Sequence, residues 1–115
     1  MLIERVLQFN EITSYKLIGK RNQSYDYQSH VVQVFMGDLN FRLDLDYEMG
    51  KVASINFLED DKHILQKSDQ LNKCRQTEEC MENLMEGPLN FRPTYKYDEG
   101  CDVYDTSKKQ RTPSW

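Results

Sequence analysis

The chain has 115 residues, a length that suits one small domain. Its hydrophobic fraction is 38% and its mean hydropathy is -0.79, which is lean for an independent core. Its 15 basic and 19 acidic residues leave a net charge of -4, which argues against a general nucleic-acid binder, and no apolar run is long enough to cross a bilayer. The charge is uneven: residues 44–86 hold the acidic excess and residues 87–115 are slightly basic. Cys74, Cys80 and Cys101 form no CxxC pair and have no metal-ligand spacing, so they read as free thiols in a reducing compartment. His30 and His63 are isolated from them, which makes zinc a poor fit. Met1-Leu2-Ile3 passes at once into Glu4-Arg5, so no signal peptide is expected and the chain reads as soluble and cytoplasmic.

Leu2, Val6, Phe9 and Ile12 share one face at helical period, predicting a helix over about 2–13 that Gly19 stops. Residues 19–30 are polar and aperiodic and read as a loop. Val31-Val32-Gln33-Val34-Phe35-Met36 is rich in β-branched and aromatic residues and predicts a buried strand. Gly37 breaks it, and Asp38 and Asn40 follow two apart. A strand ending in this way delivers a carboxylate and a carboxamide to the rim of a sheet, where α/β folds bind ligands. One group can take a proton and the other can hold an oxygen. A strand followed by an Asx turn is an equal reading of that stretch taken alone.

Phe41-Arg42-Leu43-Asp44-Leu45 alternates and predicts a short strand, while residues 46–58 show no clear period. Asp60-Asp61 suit a helix N-terminus, and Ile64, Leu65, Ser68 and Leu71 carry the helix to about Arg75. Thr77 can cap a second short helix with Met81, Leu84 and Met85 inside. Gly87-Pro88 ends that pattern, and residues 91–97 alternate as an edge strand interrupted by Pro93. Trp115, a large apolar residue at the last position, reads either as a frayed tail or as a point after which more chain is expected.

Several segments together resemble the catalytic domain of inositol polyphosphate 5-phosphatases. Val34-Phe35-Met36-Gly37-Asp38-Leu39-Asn40-Phe41-Arg42 is similar to the family's first signature, GDxN(Y/F)R, with Phe35 where Trp is usual. Asp69-Gln70-Leu71 resembles its helical DQL, and Glu86-Gly87-Pro88-Leu89-Asn90-Phe91-Arg92-Pro93-Thr94-Tyr95-Lys96-Tyr97-Asp98 resembles its EGxIxFxPTYKYD segment. Tyr104 to Trp115, YDTSKKQRTPSW, resembles the start of its second signature. Met81, Asn83 and Leu84 depart from a Phe-x-Gly-Phe pattern. The family's metal-binding Asn and Glu, its His-rich strand motif and its final Asp-His pair have no counterpart, so residues 1–115 are expected to be the central part of the domain, truncated at both ends.

The resemblance implies an α/β fold, here a partial two-sheet sandwich of the endonuclease/exonuclease/phosphatase type. It implies magnesium-dependent hydrolysis of the 5-phosphate of a phosphoinositide or inositol polyphosphate. Asp38 would orient and deprotonate the attacking water, and Asn40 would hydrogen-bond the reacting phosphate. Tyr95, Lys96, Lys109 and Arg111 match the positions that grip the neighbouring 4-phosphate, for which a hydroxyl, ammonium groups and a guanidinium fork are chemically apt. Asp105 and Tyr104 would brace that loop, and Arg42 would pair with a carboxylate. The main Mg2+ ligand is expected in the missing N-terminal part, so no metal ligand is named among these residues. The implied partners are the inositol substrate and a membrane surface touched peripherally, with no nucleic acid. A nuclease of the same fold, or a truncated phosphoinositide-binding product without catalysis, are the competing expectations.

Overall fold

The structure, a computed structural model, describes residues 2–77, 80–81 and 83–115, apart from the side chain of Leu2. Helix α1 spans Leu2–Ser14. It buries Phe9 and half-buries Val6, while Ile12, expected on the same face, is exposed. The inward position of Leu2 lies outside the described side chains. Near the helix end, the hydroxyls of Thr13 and Ser14 donate to the carbonyls of Phe9 and Glu11 at 2.9 and 2.7 Å. Such back-bonding competes with helix propagation.

A two-stranded antiparallel hairpin follows, β1 (Leu17–Ile18) and β2 (Ser24–Tyr25), with Leu17 opposite Tyr25. It replaces part of the loop expected at 19–30. Arg21 and Asn22 take positive φ in its turn, and the Gly19 amide donates to the Gln23 carbonyl at 2.8 Å.

The buried strand expected at 31–36 does not form: this segment belongs to no strand. Val31, Val32, Val34 and Met36 are exposed, and Phe35 alone turns inward, meeting the Phe9 ring edge-on at 5.3 Å. β-branched composition favours an extended backbone, but a strand needs neighbours for its hydrogen bonds. The short strands expected at 41–45 and 91–97 are reduced to single bridges, Leu43 with Asp69, Tyr95 with Ser114 and Tyr97 with Tyr104.

Helix α2, Tyr47–Asn56, arises where no period was evident. The Asp46 carboxylate caps it by accepting from the Met49 amide at 3.0 Å. Instead of one helix over 61–75 there are two, α3 (Glu59–Ser68) and α4 (Gln70–Gln76). Asp69 separates them with an extended backbone, φ -68° and ψ 125°, and caps α4 through the Leu71 and Asn72 amides at 2.6 and 3.0 Å. An Asp gains more as a cap than inside a helix, which explains the break. No helix follows Thr77 among the described residues: Met81 has a φ of 55°, and Glu78, Glu79 and Glu82 of the expected element lie outside them.

Two small cores result. One joins Phe9, Phe41, Cys74, Cys80 and Met81; the other joins Leu43, Ala53 and Leu65, with Trp115 packed against it. Trp115 is also pinned through its indole N–H to the Phe91 carbonyl at 2.9 Å, so it is no frayed end. Cys74 and Cys80 are joined as a disulfide, which corrects the expectation of free thiols; Cys101 is free and exposed. The molecule exposes 8816 Å² with a radius of gyration of 17.2 Å. A compact chain of this mass would expose about 6600 Å² and have a radius near roughly 13 Å. The surplus includes the apolar residues of 31–36 and of the outer face of α1.

Gly50, buried in α2, faces the loop near the chain end: a Cβ there would meet the Thr112 methyl at 2.5 Å. Thr112 cannot turn aside freely, because its hydroxyl donates to the Leu45 carbonyl at 3.2 Å. Gly50→Ala would gain about 1 kcal/mol of helix propensity but lose about 1–3 kcal/mol to overpacking. We expect net destabilisation, seen as a lower urea midpoint with an unchanged slope.

Candidate functional site

The Gly37-Asp38-Leu39-Asn40 turn builds one wall of the site. Gly37 has a φ of 151°, which suits glycine, and Asn40 takes φ 57°, a conformation asparagine tolerates. The Asp38 Oδ1 accepts from the Asn40 amide at 3.0 Å, forming an Asx turn that leaves the carboxylate exposed. Immediately after it, Arg42 Nη2 donates to Asn40 Oδ1 at 2.8 Å, and the guanidinium lies 5.0 Å from the centre of the Tyr95 ring. Arg42 was expected to pair with a carboxylate; it pairs with this carboxamide.

Gln70 fixes that wall to α4. Its Oε1 accepts from the Arg42 amide at 3.1 Å, and its own amide donates to the Arg42 carbonyl at 3.0 Å. Its Nε2 donates to Asp44, which also takes Lys73 Nζ at 2.7 Å. The ammonium and amide donors hold the Asp44 carboxyl below its ordinary pKa. Burial pushes Asp69 the other way, upward, despite the two amides it caps.

These groups border a cleft of 380 Å³, which Asp38, Asn40, Arg42, Asp69, Glu86 and Tyr95 line together with Ser114 and Trp115. Arg75 steadies its far side, donating to Glu86 at 3.2 Å and to the Leu84 carbonyl at 2.9 Å. Of the six residues singled out from the sequence, Asp38, Asn40 and Tyr95 therefore share one cleft. Lys96, Lys109 and Arg111 do not line it; they are exposed on the neighbouring segments.

Buried Asp105 organises those segments. Its Oδ2 accepts from the Arg111 amide at 3.0 Å and its Oδ1 from the Ser107 amide at 3.2 Å, while its own amide donates to the Lys96 carbonyl at 2.9 Å. One carboxylate thus gathers the backbones that carry Lys96, Lys109 and Arg111. The Arg111 and Ser107 donors hold its carboxyl below the usual range. Tyr47 adds an anchor from α2, its hydroxyl donating to the Asp105 carbonyl at 2.6 Å. Tyr104 stacks on Tyr97 at 4.5 Å and donates to the Pro93 carbonyl at 2.8 Å; burial raises its hydroxyl pKa. Tyr47 carried no sequence signal of its own, and Gln70 stood out only as part of the Asp69-Gln70-Leu71 motif; their roles were not legible because they act across 58 and 28 residues.

Metal fits poorly here. Asp38, Asp69 and Glu86 all border the cleft, but among the described residues no three His, Cys, Asp or Glu side chains group closely enough to hold an ion. Asp69 is also committed to capping α4 and Glu86 to Arg75.

This arrangement belongs to a known class. Residues 2–115 match the model of Endonuclease/Exonuclease/phosphatase family 2, and the chain is a member of that family. It is 42% identical over 87 residues to human phosphatidylinositol 4,5-bisphosphate 5-phosphatase A, which covers 75% of this chain and 8% of that protein. It is 40% identical over 115 residues to human synaptojanin-2, covering 97% of this chain and 7% of that one. The inositol polyphosphate 5-phosphatase domain of SpSynaptojanin, solved with inositol (1,4)-bisphosphate and calcium ion, superposes with a TM-score of 0.83 at 38% identity over 98% of this chain. The chain spans 32% of that solved domain. The fold is therefore a portion of the α/β endonuclease/exonuclease/phosphatase architecture.

Two pH-linked predictions follow from the carboxylates. The native pKa of Asp105 is depressed, so its contribution is present above the unfolded pKa and is lost only as pH falls through the native value. The Arg111 amide should stay protected from exchange at about pH 4 and lose protection on further acidification. Asp69 has the opposite sign: its raised pKa means its charge opposes folding near neutrality. Asp69→Asn, which keeps an acceptor for Leu71 and Asn72, should match or exceed the parent in urea at pH 7, whereas Asp69→Ala should lose about 1 kcal/mol.

Proposed function

We propose that this chain carries the water-activating turn and the phosphate-gripping loop of an inositol polyphosphate 5-phosphatase, acting on a phosphoinositide or soluble inositol polyphosphate. The observation behind this reading is the convergence of four separate segments, residues 37–42, 69–71, 86–95 and 114–115, on one cleft. Asp38 accepts a proton from water as that water attacks the 5-phosphorus. The bond between phosphorus and the oxygen on ring carbon 5 then breaks; that leaving oxygen takes up a proton from solvent, Asp38 returns its proton to solvent, and inorganic phosphate and the inositol alcohol are released. Asn40 donates to a phosphate oxygen, and Tyr95 offers a hydroxyl to the neighbouring 4-phosphate. Lys96, Lys109 and Arg111 neutralise that phosphate from the loop that Asp105 holds. Phosphoryl transfer depends mainly on such positioning and charge neutralisation.

The cleft itself presents three carboxylates against one guanidinium, an unfavourable field for a polyphosphate. Countercharge must come from outside the residues that line the cleft, and we assign it to Mg2+, a Lewis acid suited to phosphoryl oxygens whose ligands we place outside this chain. The described residues of this chain do not group to hold that ion. A lipid substrate implies peripheral contact with the cytoplasmic face of a membrane and no nucleic-acid ligand. The specific substitution pattern of Tyr95-Lys96 with Lys109 and Arg111 favours an inositol phosphate over a nucleic-acid end.

The isolated 115 residues should show negligible Mg2+-dependent phosphate release from inositol 1,4,5-trisphosphate. Robust release would refute the assignment of metal ligands outside this chain. In a complete domain containing these residues, Asp38→Ala should abolish turnover and leave substrate affinity nearly intact. Lys109→Ala with Arg111→Ala should instead raise KM for 4,5-bisphosphorylated substrates more than for a 5-phosphate alone. Equal effects on both would remove the loop from 4-phosphate recognition.

A further inference from the structure

We propose that Arg42 is a positioning residue that sets the polarity of the Asn40 carboxamide, turning Asn40 into an obligate donor toward the cleft. A guanidinium has donors only, so the Asn40 atom facing it at 2.8 Å is the oxygen. The Nδ2 group is left as the side chain's free donor at a site that Asn40 lines. A carboxamide free to flip would present an acceptor to an anion half of the time, and an acceptor repels phosphate oxygen. The same guanidinium sits over Tyr95, the cleft residue contributed by the 86–95 segment. Arg42 therefore ties the two motif segments together: the Asx turn on one side and the tyrosine on the other. Its own backbone cannot drift, because Gln70 bonds both its amide and its carbonyl. The ligand class this selects is a phosphate monoester oxygen, in keeping with the proposed function on which this inference rests.

The test reads the unliganded chain first. In 15N-labelled protein, the Asn40 side-chain amide, identified by its disappearance in Asn40→Asp, should show one ordered orientation, read as a high heteronuclear NOE at Nδ2 and proton shifts displaced from those of a solvent-exposed carboxamide. In Arg42→Leu the NOE should fall and the shifts should move to the exposed values. Arg42→Met, which keeps an aliphatic stem and both backbone bonds to Gln70 but carries no donor, should do the same and guards against a folding defect. An unchanged Asn40 amide in folded Arg42→Met overturns the proposal. Titration with inositol 1,4-bisphosphate then reads the consequence. The Asn40 amide should shift in the parent, and affinity should fall about tenfold in Arg42→Met, the usual loss of one hydrogen bond to a charged group. An Asn40 amide that is held by Arg42 but does not respond to inositol 1,4-bisphosphate would count against the proposed function alone. Undiminished affinity in Arg42→Met would overturn the positioning role.

Discussion

The reciprocal pair of hydrogen bonds between Gln70 and the backbone of Arg42 is the constraint on which the site depends. It joins the start of α4 to the residue that follows the Asx turn, in a region where no continuous sheet is present to do so. Asp69 makes the pair possible. By leaving the helical conformation and capping α4, it turns one expected helix into two and aligns residue 70 with residue 42. The cost is a carboxylate held in a poorly solvated place, visible as its raised pKa. Asp44 lies on the other side of this junction and gains from it, since Gln70 and Lys73 both donate to it.

A second assembly supports the basic loop and is nearly independent of the first. Asp105 is buried and draws amides from both sides of the loop, so that Lys96, Lys109 and Arg111 project from one folded unit. Helix α2 is its platform: Tyr47 holds the Asp105 carbonyl, and the absence of a side chain at Gly50 lets Thr112 approach. The cleft is acidic and the loop is basic, and the two are adjoined through the Tyr95–Ser114 backbone pair. Small size leaves this framework thinly packed, with two modest apolar clusters and a surface well above that of a compact chain.

The order of residues alone determined the motif content: an Asp and an Asn two apart after Gly37, a tyrosine and lysine after Pro93, and a basic run ending in Trp115. It also determined α1, because an apolar period of 3.6 is a local property. Other features depended on distant partners. The 31–36 segment has every local mark of a strand, yet strand formation needs a neighbouring backbone, and none pairs with it among the described residues. The reverse holds for α2, whose apolar face is irregular but which is capped by Asp46 and packs Ala53 against Leu43 and Leu65. Whether Asp69 caps or continues a helix, and which atom of Asn40 faces the cleft, were decided only by tertiary structure. Both choices follow from partners that the fold assembles: Gln70 on the Arg42 backbone beside the Leu43–Asp69 bridge, and the Arg42 guanidinium, which bonds the Asn40 oxygen and rests against the Tyr95 ring.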